Sequence, residues 1–265
     1  MKTVLLGGGR ITSALIAGLR LKNYAQPIVV HDRHAAKLRA LNKQFGIIAE
    51  ADLQAAVNQA GLLVLAVRPA SVRELLQQIG KRDREITAVS LAAGIPLQQL
   101  RASLGSPVRW ARAMPSPVCR IGRGLTAITF SSGFPQSLRA MVKKFFANVG
   151  TTLEIPEAKF DAFTVTYSSS HGYHALATLS KAAEQIGLDR KTALAAAAHA
   201  LGEGVLYWRE GDLSLPELLH EAATPGGIAA TAMETMDKAG YLDMFNRSLK
   251  AGLARAKANA KLNSG

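Results

Sequence analysis

The sequence lacks the features that mark membrane, disulfide-stabilised and metal-binding proteins. Its 265 residues include one cysteine, Cys119, so no intrachain disulfide is available and we expect a cytoplasmic location. No apolar run reaches the roughly 18 residues of a transmembrane helix, so we expect no membrane association. The six histidines have no ligand partners at helical or turn spacing, and we therefore expect no metal.

Aromatic residues are few (6%), and the formal net charge is +13. The lysines and arginines are scattered, with no run of five. We therefore expect no nucleic-acid partner and interpret the charge as favouring solubility and anionic ligands. A nucleic-acid binder remains an open alternative that salt-sensitive duplex binding would favour. With 48% hydrophobic residues, the composition is typical of a globular protein with a substantial core.

Short apolar runs alternate with amphipathic stretches through the first half of the chain. Continuous apolar runs indicate strands buried on both faces, as in parallel sheets. This alternation predicts an α/β, Rossmann-type doubly wound domain over residues 1–155. Strands are predicted at Val4–Leu6, Ile28–Val30, Leu62–Val67, Ile86–Leu91, Val108–Ala113, Leu125–Phe130 and Thr151–Leu153, and helices at Ile11–Leu21, His34–Phe45, Ser71–Ile79 and Gln136–Ala147.

After Pro156 the pattern becomes helical throughout. We predict an all-α domain over residues 156–265, with apolar stripes that include Leu176, Leu179, Leu194 and Leu201. A small domain cannot bury that much apolar surface alone, so we predict a homo-oligomer, at least a dimer. Predicted helices are Ala158–Ala183, Arg190–Trp208, Pro216–Ala222, Ile228–Lys238 and Met244–Ala260.

The first strand runs directly into Gly7-Gly8-Gly9, and a helix follows at once. Glycines permit the tight turn and the close approach of a pyrophosphate, while the helix N-terminus supplies free amides and partial positive charge. Gly7 and Gly9 take the first two places of the dinucleotide fingerprint. The third place, usually Gly or Ala, holds Thr12, so a generic glycine-rich loop is the competing interpretation.

The end of the second strand bears on the choice of cofactor. Asp32 is placed to hold the ribose hydroxyls of NAD, whereas Arg33 is suited to the additional phosphate of NADP. Arg10 adds a positive charge at the first helix. We favour NADP (NADPH) over NAD.

Five segments together resemble the pyrroline-5-carboxylate reductase family, in the same order and at similar spacing over almost the entire chain. They are LLGGGRITSALIAGL at residues 5–19, Ala66-Val67-Arg68-Pro69, Ser90-Leu91-Ala92-Ala93-Gly94-Ile95, Arg112-Ala113-Met114-Pro115 and Thr224-Pro225-Gly226-Gly227.

The resemblance implies a Rossmann domain followed by a helical dimerisation domain in which two subunits interleave. It also implies reduction of 1-pyrroline-5-carboxylate to proline, the last step of proline synthesis, with NADPH or NADH. Cofactor contacts are expected from Gly7, Gly9, Arg10, Ile11, Asp32, Arg33, Ala66, Val67, Arg68, Pro69, Ala92, Ala93, Met114 and Pro115.

The substrate side of the resemblance contains the departures. Helix-terminal amides at the Pro-Gly-Gly turn are expected to receive the substrate carboxylate, but the family's following Thr is replaced here by Ala229. Thr231 lies two residues further and is predicted to face another side of the helix. Substrate contacts are expected from Thr224, Gly226, Gly227, Ile228 and Ala229, and catalytic candidates are Ser169, Ser170, His171 and Thr231.

Because of these departures, three functions remain open. The first is a divergent pyrroline-5-carboxylate reductase that uses other donors, such as Ser169 or Ser170. The second is a paralogue that reduces a different imine or carbonyl compound. The third is a non-catalytic dinucleotide-binding regulator. His171 and His174 are suited to proton donation near neutral pH, or are packed in a helix interface.

Overall fold

The computed structural model describes residues 2–262. Contacts within the chain divide the described residues into two units, one of residues 2–167 and 251–262 and the other of residues 168–250. The predicted boundary after residue 155 stays a prediction about domains; in the structure the helix after Pro156 is grouped with the first unit.

Eight strands form one sheet in the first unit, in the order β3-β2-β1-β4-β5-β6-β7-β8. The strands from β3 to β6 are parallel, β7 is antiparallel to β6, and β8 is parallel to β7. Strand order reverses between β1 and β4, the switch point where ligands of such sheets bind. The strands are β1 Thr3–Leu6, β2 Ile28–His31, β3 Ile48–Glu50, β4 Leu62–Leu65, β5 Ile86–Ser90, β6 Val108–Pro115, β7 Gly124–Phe130 and β8 Gly150–Glu154.

Helices cover both faces of this sheet. Side chains along a strand alternate between faces, so in β1 Leu5 joins one apolar cluster, whereas Val4 and Leu6 join the other. The predicted Rossmann-type sheet is therefore confirmed. The helices of this unit are α1 Arg10–Leu21, α2 Ala35–Phe45, α3 Leu53–Asn58, α4 Val72–Ile79, α5 Leu97–Ser103, α6 Gln136–Ala147 and α7 Glu157–Thr166.

The second unit is helical, as predicted. Helix α8 packs against α9, and both α10 and α11 bury no residue of their own. The last helix begins in this unit and ends in the first. The bounds are α8 Ser170–Gln185, α9 Arg190–Glu210, α10 Leu215–Ala222, α11 Ile228–Lys238 and α12 Tyr241–Leu262. Within the described residues, none of the helices combines the length and apolar character needed to span a bilayer.

Some predicted elements were wrong. The single helix predicted over Ala158–Ala183 is two helices, α7 and α8, separated by a break at residues 167–169. Serine side chains compete with helical hydrogen bonds, and here the hydroxyl groups of Ser168 and Ser170 lie 2.8 Å apart. Strand β3 and helices α3 and α5 were missed because each is short, and the edge strand β3 leaves Ile48 exposed.

Candidate functional site

The turn between β1 and α1 is built for close approach by a ligand. Gly7 has a φ of +109°, and a Cβ at this position would lie 2.7 Å from the Ala66 carbonyl oxygen, so no larger residue fits without strain. Its N–H donates to the carbonyl of His31 (2.7 Å). The turn is thereby fixed between the ends of β2 and β4.

Gly9 differs from Gly7 because it faces open space. It is the N-cap of α1, with no side-chain cap, and a Cβ there would have no neighbour within 4 Å. The first turn of α1 contains no acidic residue. Its amides and the helix dipole therefore offer an uncompensated positive site, which fits the pyrophosphate of a dinucleotide.

Thr12 occupies the third fingerprint position and is fully buried. Its hydroxyl donates to the Gly7 carbonyl at 2.5 Å. This bond ties the first turn of α1 back to the glycine turn. The departure from Gly or Ala is thus compensated locally by a hydrogen bond.

A cavity of about 1050 Å³ opens over this turn, at the carboxyl ends of β1, β2 and β4. Most residues predicted to contact a cofactor line it: Gly7, Gly9, Arg10, Ile11, Asp32, Arg33, Ala66, Val67 and Arg68. Pro69, Ala92, Ala93, Met114 and Pro115 lie outside the lining of this cavity. Sequence reasoning missed six polar members, which are His31, His34, Lys37, Ser71, Glu74 and Gln78.

The Asp32 carboxylate is 8% exposed and accepts hydrogen bonds within the chain. Oδ2 accepts from the Gly8 N–H (2.8 Å) and the Lys37 ammonium (3.3 Å), and Oδ1 accepts from the His34 N–H (2.8 Å) and contacts His34 Nδ1 (2.8 Å). Burial by itself raises the pKa of Asp32, but the Gly8 and His34 hydrogen bonds and the Lys37 charge lower it to about 2. Asp32 is therefore ionised and internally paired.

Positive charge predominates around Asp32. Arg10, Arg33, Lys37 and Arg68 line the cavity, against the two carboxylates of Asp32 and Glu74. Lys37 lies on the first turn of α2, three residues after His34. A basic residue in the first turn of the helix that follows β2 is a pattern visible in the sequence, and it could have identified Lys37.

The ends of β5 and β6 hold four of the five remaining predicted cofactor residues, while Pro69 begins a 3-10 turn after β4. Ala92 and Ala93 lie in the loop after β5, and Met114 and Pro115 end β6. The Tyr167 hydroxyl donates to the Met114 carbonyl, and burial raises the pKa of Tyr167. This phenol therefore keeps its proton and its donor role at neutral pH.

Arg112 of β6 forms a buried ion cluster. Sequence reasoning named Arg112 but did not predict the cluster. Its side chain is 2% exposed and pairs with Glu157 (3.1 Å) and Asp161 (2.6 Å) of α7. Its guanidinium also lies 4.4 Å from the centre of the Phe160 ring. The cluster anchors α7 to the sheet, and breaking such a buried pair is strongly destabilising.

The predicted substrate turn lies in the second unit. Gly226 has a φ of +75°, and Gly227 is the N-cap of α11 without a side-chain cap. Ile228 is 93% exposed, and the first turn of α11 has no acidic residue. The Thr231 hydroxyl donates to the Gly227 carbonyl (3.0 Å). Backbone amides are thus the donors that this turn offers to an anion.

The other catalytic candidates surround the start of α8. Ser169 is its N-cap, again without a side-chain cap, and Ser170 is its first residue. The His171 N–H donates to the Ser168 carbonyl (3.1 Å), and the His171 ring lies 6.3 Å from that of Phe245. The described residues contain no group of three His, Cys, Asp or Glu side chains arranged to hold a metal.

The helical unit leaves large apolar side chains exposed. Leu194, Val205 and Trp208 of α9 are 48%, 53% and 44% exposed. Surface of this kind marks a protein interface. Trp110, in contrast, is fully buried in the sheet.

Two family models match separate parts of the chain. Residues 2–94 match the family described as NADP oxidoreductase coenzyme F420-dependent, and residues 157–259 match pyrroline-5-carboxylate reductase dimerisation. A pyrroline-5-carboxylate reductase of Corynebacterium melassecola is 28% identical over 97% of this chain and 98% of that protein. Over nearly its whole length the chain is similar to pyrroline-5-carboxylate reductases, which bears out the predicted resemblance to that family. The predicted homo-oligomer is confirmed, because the helical half matches the dimerisation region.

Solved structures share the fold over nearly the full length. The 1-pyrroline-5-carboxylate reductase of Streptococcus pyogenes has a TM-score of 0.88 at 23% identity, covering 97% of this chain and 98% of that one. The Plasmodium falciparum pyrroline carboxylate reductase with NADP bound has a TM-score of 0.87 at 19% identity, covering 98% of both chains. These structures show the shared fold, and the match of residues 2–94 to an NADP oxidoreductase family supports the predicted nicotinamide dinucleotide at the level of the cofactor class.

Proposed function

We propose that the chain reduces 1-pyrroline-5-carboxylate to proline by hydride transfer from a nicotinamide dinucleotide. The observation that carries this proposal is the uncapped N-terminus of α1 at the Gly7–Gly9 turn, open to a large cavity, in a chain similar to this family over nearly its whole length. Full-length relatives with this activity in their names support the same function.

The chain's own residues would bind and orient, since the cofactor supplies the hydride and most of the chemistry. The amides of Gly9 and of the first turn of α1 would hold the pyrophosphate. Small residues at the end of β5, Ala92 and Ala93, leave room for the ribose and ring beyond it. The substrate imine is already electrophilic when protonated, so a dedicated general acid is not required.

The turn at Gly226 and Gly227 is proposed to receive the substrate carboxylate on the amides of α11. Ala229 offers no hydroxyl, and the Thr231 hydroxyl is engaged with Gly227. Loss of one hydrogen bond to a charged group costs about 1.5–3 kcal/mol. We therefore propose Ser169 or Ser170 as substitute donors and expect a raised KM for the substrate.

For the cofactor we propose NADP over NAD. Both oxygens of Asp32 are already occupied by donors from Gly8, His34 and Lys37, which leaves little capacity to accept the ribose hydroxyls of NAD. Arg33 and Lys37 then face the cavity as charges suited to a phosphate. The NADP bound in the Plasmodium falciparum relative supports this preference. A cytoplasmic location remains part of the proposal.

The cofactor proposal is tested by Lys37→Gln, with Lys22→Gln at the far end of α1 as the matched control. We expect kcat/KM for NADPH to fall about threefold to tenfold in the first variant, since one charge–phosphate contact is lost. We expect kcat/KM for NADH not to fall, because the loss of Lys37 frees an acceptor site on Asp32 Oδ2 for a ribose hydroxyl. A wild-type enzyme that prefers NADH would contradict the proposal.

The reaction is tested by comparing 1-pyrroline-5-carboxylate with 1-pyrroline, which lacks the carboxylate. Oxidation of NADPH with the first compound and a much lower kcat/KM with the second are expected. Faster turnover of a ring without the carboxylate would favour a paralogue for another imine. Tight NADPH binding without oxidation across a panel of imines would favour a non-catalytic regulator.

A further inference from the structure

The loop after β5 is the part of the first unit that must meet the nicotinamide half of the cofactor. If the pyrophosphate lies at the switch point between β1 and β4 and the adenosine half extends toward β2, the other half extends toward β5. In this loop Ala92 and Ile95 are buried, whereas Ala93 is partly exposed. The backbone position of Ala93 therefore shapes this end of the site.

The last turns of α12 contact that loop, and both belong to the same unit. The Asn259 side-chain amide donates to the Ala93 carbonyl (3.2 Å). Gly94 has a φ of +80°, and a Cβ there would collide with the Ala256 carbonyl oxygen. The Gln99 side-chain amide donates to the Ala260 carbonyl (3.1 Å), which ties α5 to the same helix end.

These contacts fix the orientation of one peptide plane. A trans peptide is planar, so its carbonyl and its N–H point in opposite directions. With the Ala93 carbonyl directed at Asn259, the N–H of Gly94 is directed away from α12. The close approach of α12 at Gly94 prevents the loop from relaxing toward the helix.

We propose that Asn259 is a positioning residue for the nicotinamide site, acting through the Ala93 carbonyl. Asn259 lies within the segment that matches the dimerisation family, yet its contact is with the cofactor-binding unit. The inference rests on the proposed function only in placing the nicotinamide at the loop after β5.

The test compares Asn259→Asp and Asn259→Ala. The aspartate has the same shape but places a carboxylate oxygen against the Ala93 carbonyl, whereas alanine removes the donor without adding a charge. The matched controls are Asn148→Asp and Asn148→Ala, because the Asn148 amide makes an equivalent bond to the Lys144 carbonyl (2.7 Å) at the end of α6.

Two ligands distinguish a loss of affinity at the nicotinamide end from a loss of affinity over the whole cofactor site. NADPH spans the whole site, whereas 2′-phospho-ADP-ribose lacks the nicotinamide. We expect Asn259→Ala to lower the affinity for NADPH about threefold to tenfold, which is the effect of losing one neutral hydrogen bond. We expect Asn259→Asp to lower this affinity further. Affinity for 2′-phospho-ADP-ribose should stay within twofold in both variants, and the Asn148 variants should change neither.

Binding is measured by titration and needs no turnover. Equal losses for both ligands, or no loss of NADPH affinity in folded Asn259→Ala and Asn259→Asp, would overturn the inference while leaving the proposed function standing. If the wild-type chain binds neither NADPH nor NADH, the proposed function and this inference both fail, whereas binding of NADH alone contradicts only the preference for NADP. If it binds NADPH and 2′-phospho-ADP-ribose but reduces no imine, only the proposed reaction fails.

Discussion

Two neighbouring glycines in the β1–α1 turn should respond to alanine in opposite ways. Gly7 combines a φ of +109° with a Cβ position 2.7 Å from a backbone oxygen, whereas Gly9 has an extended backbone (φ −84°, ψ −171°) and open space. The conformational strain at Gly7 alone costs about 1–3 kcal/mol, and the collision adds to it. We expect Gly7→Ala to lower the free energy of unfolding by about 2–4 kcal/mol.

Gly9→Ala should leave the fold intact and damage the cofactor site. The weaker N-cap is offset by the reduced entropy of the unfolded chain, so stability should change by less than about 0.5 kcal/mol. The new methyl group occupies the space proposed for the pyrophosphate. Losing one hydrogen bond to a charged group costs about 1.5–3 kcal/mol, which corresponds to a tenfold to hundredfold rise in the Kd for NADPH.

Thermal unfolding and calorimetric titration of the two variants provide the assay. Gly7→Ala should show a Tm lowered by about 4–16 °C, and Gly9→Ala should keep the wild-type Tm with weakened binding of both NADPH and NADH. Wild-type affinity in Gly9→Ala would refute the placement of the pyrophosphate over this turn.

Two further variants test the supports of the site. Asp32→Asn should lower stability by about 2 kcal/mol near pH 7: the pKa of about 2 lies below the usual value of an aspartate, so this contribution is present above about pH 4 and lost as pH falls toward 2. A difference from wild type that persists at pH 2 in denaturant melts would contradict this. Gly18→Ala should destabilise α1 by several kcal/mol because its Cβ would overlap the Cys119 carbonyl; an unchanged melting temperature in this variant would refute the packing argument.

The cofactor half was the easier part to predict from sequence. Buried parallel strands have a distinctive run of apolar residues, and the glycine turn is a local feature, so Gly7 and Gly9 were readable. The Asp32 environment was not, because its donors come from Gly8, His34 and Lys37 and meet only in the folded chain. Asp32 taken alone indicates NAD, whereas the proposed preference for NADP depends on the partners of Asp32.

The substrate half was harder for a different reason. The helical unit exposes Leu194 and Trp208 in a single chain, and their burial requires a second copy. Apolar periodicity predicts such helices well but says little about short breaks, as at Ser168 between α7 and α8. The Asn259 contact joins residues 166 positions apart, and no local sequence pattern predicts it.

The proposed reaction transfers a hydride from NADPH to the imine carbon of 1-pyrroline-5-carboxylate. It is tested most directly with NADPH deuterated at its transferable position, and the product is followed by mass spectrometry and NMR. We expect one proline formed for each NADPH consumed, with deuterium on the former imine carbon. Folded, NADPH-bound protein that yields no labelled proline would contradict it.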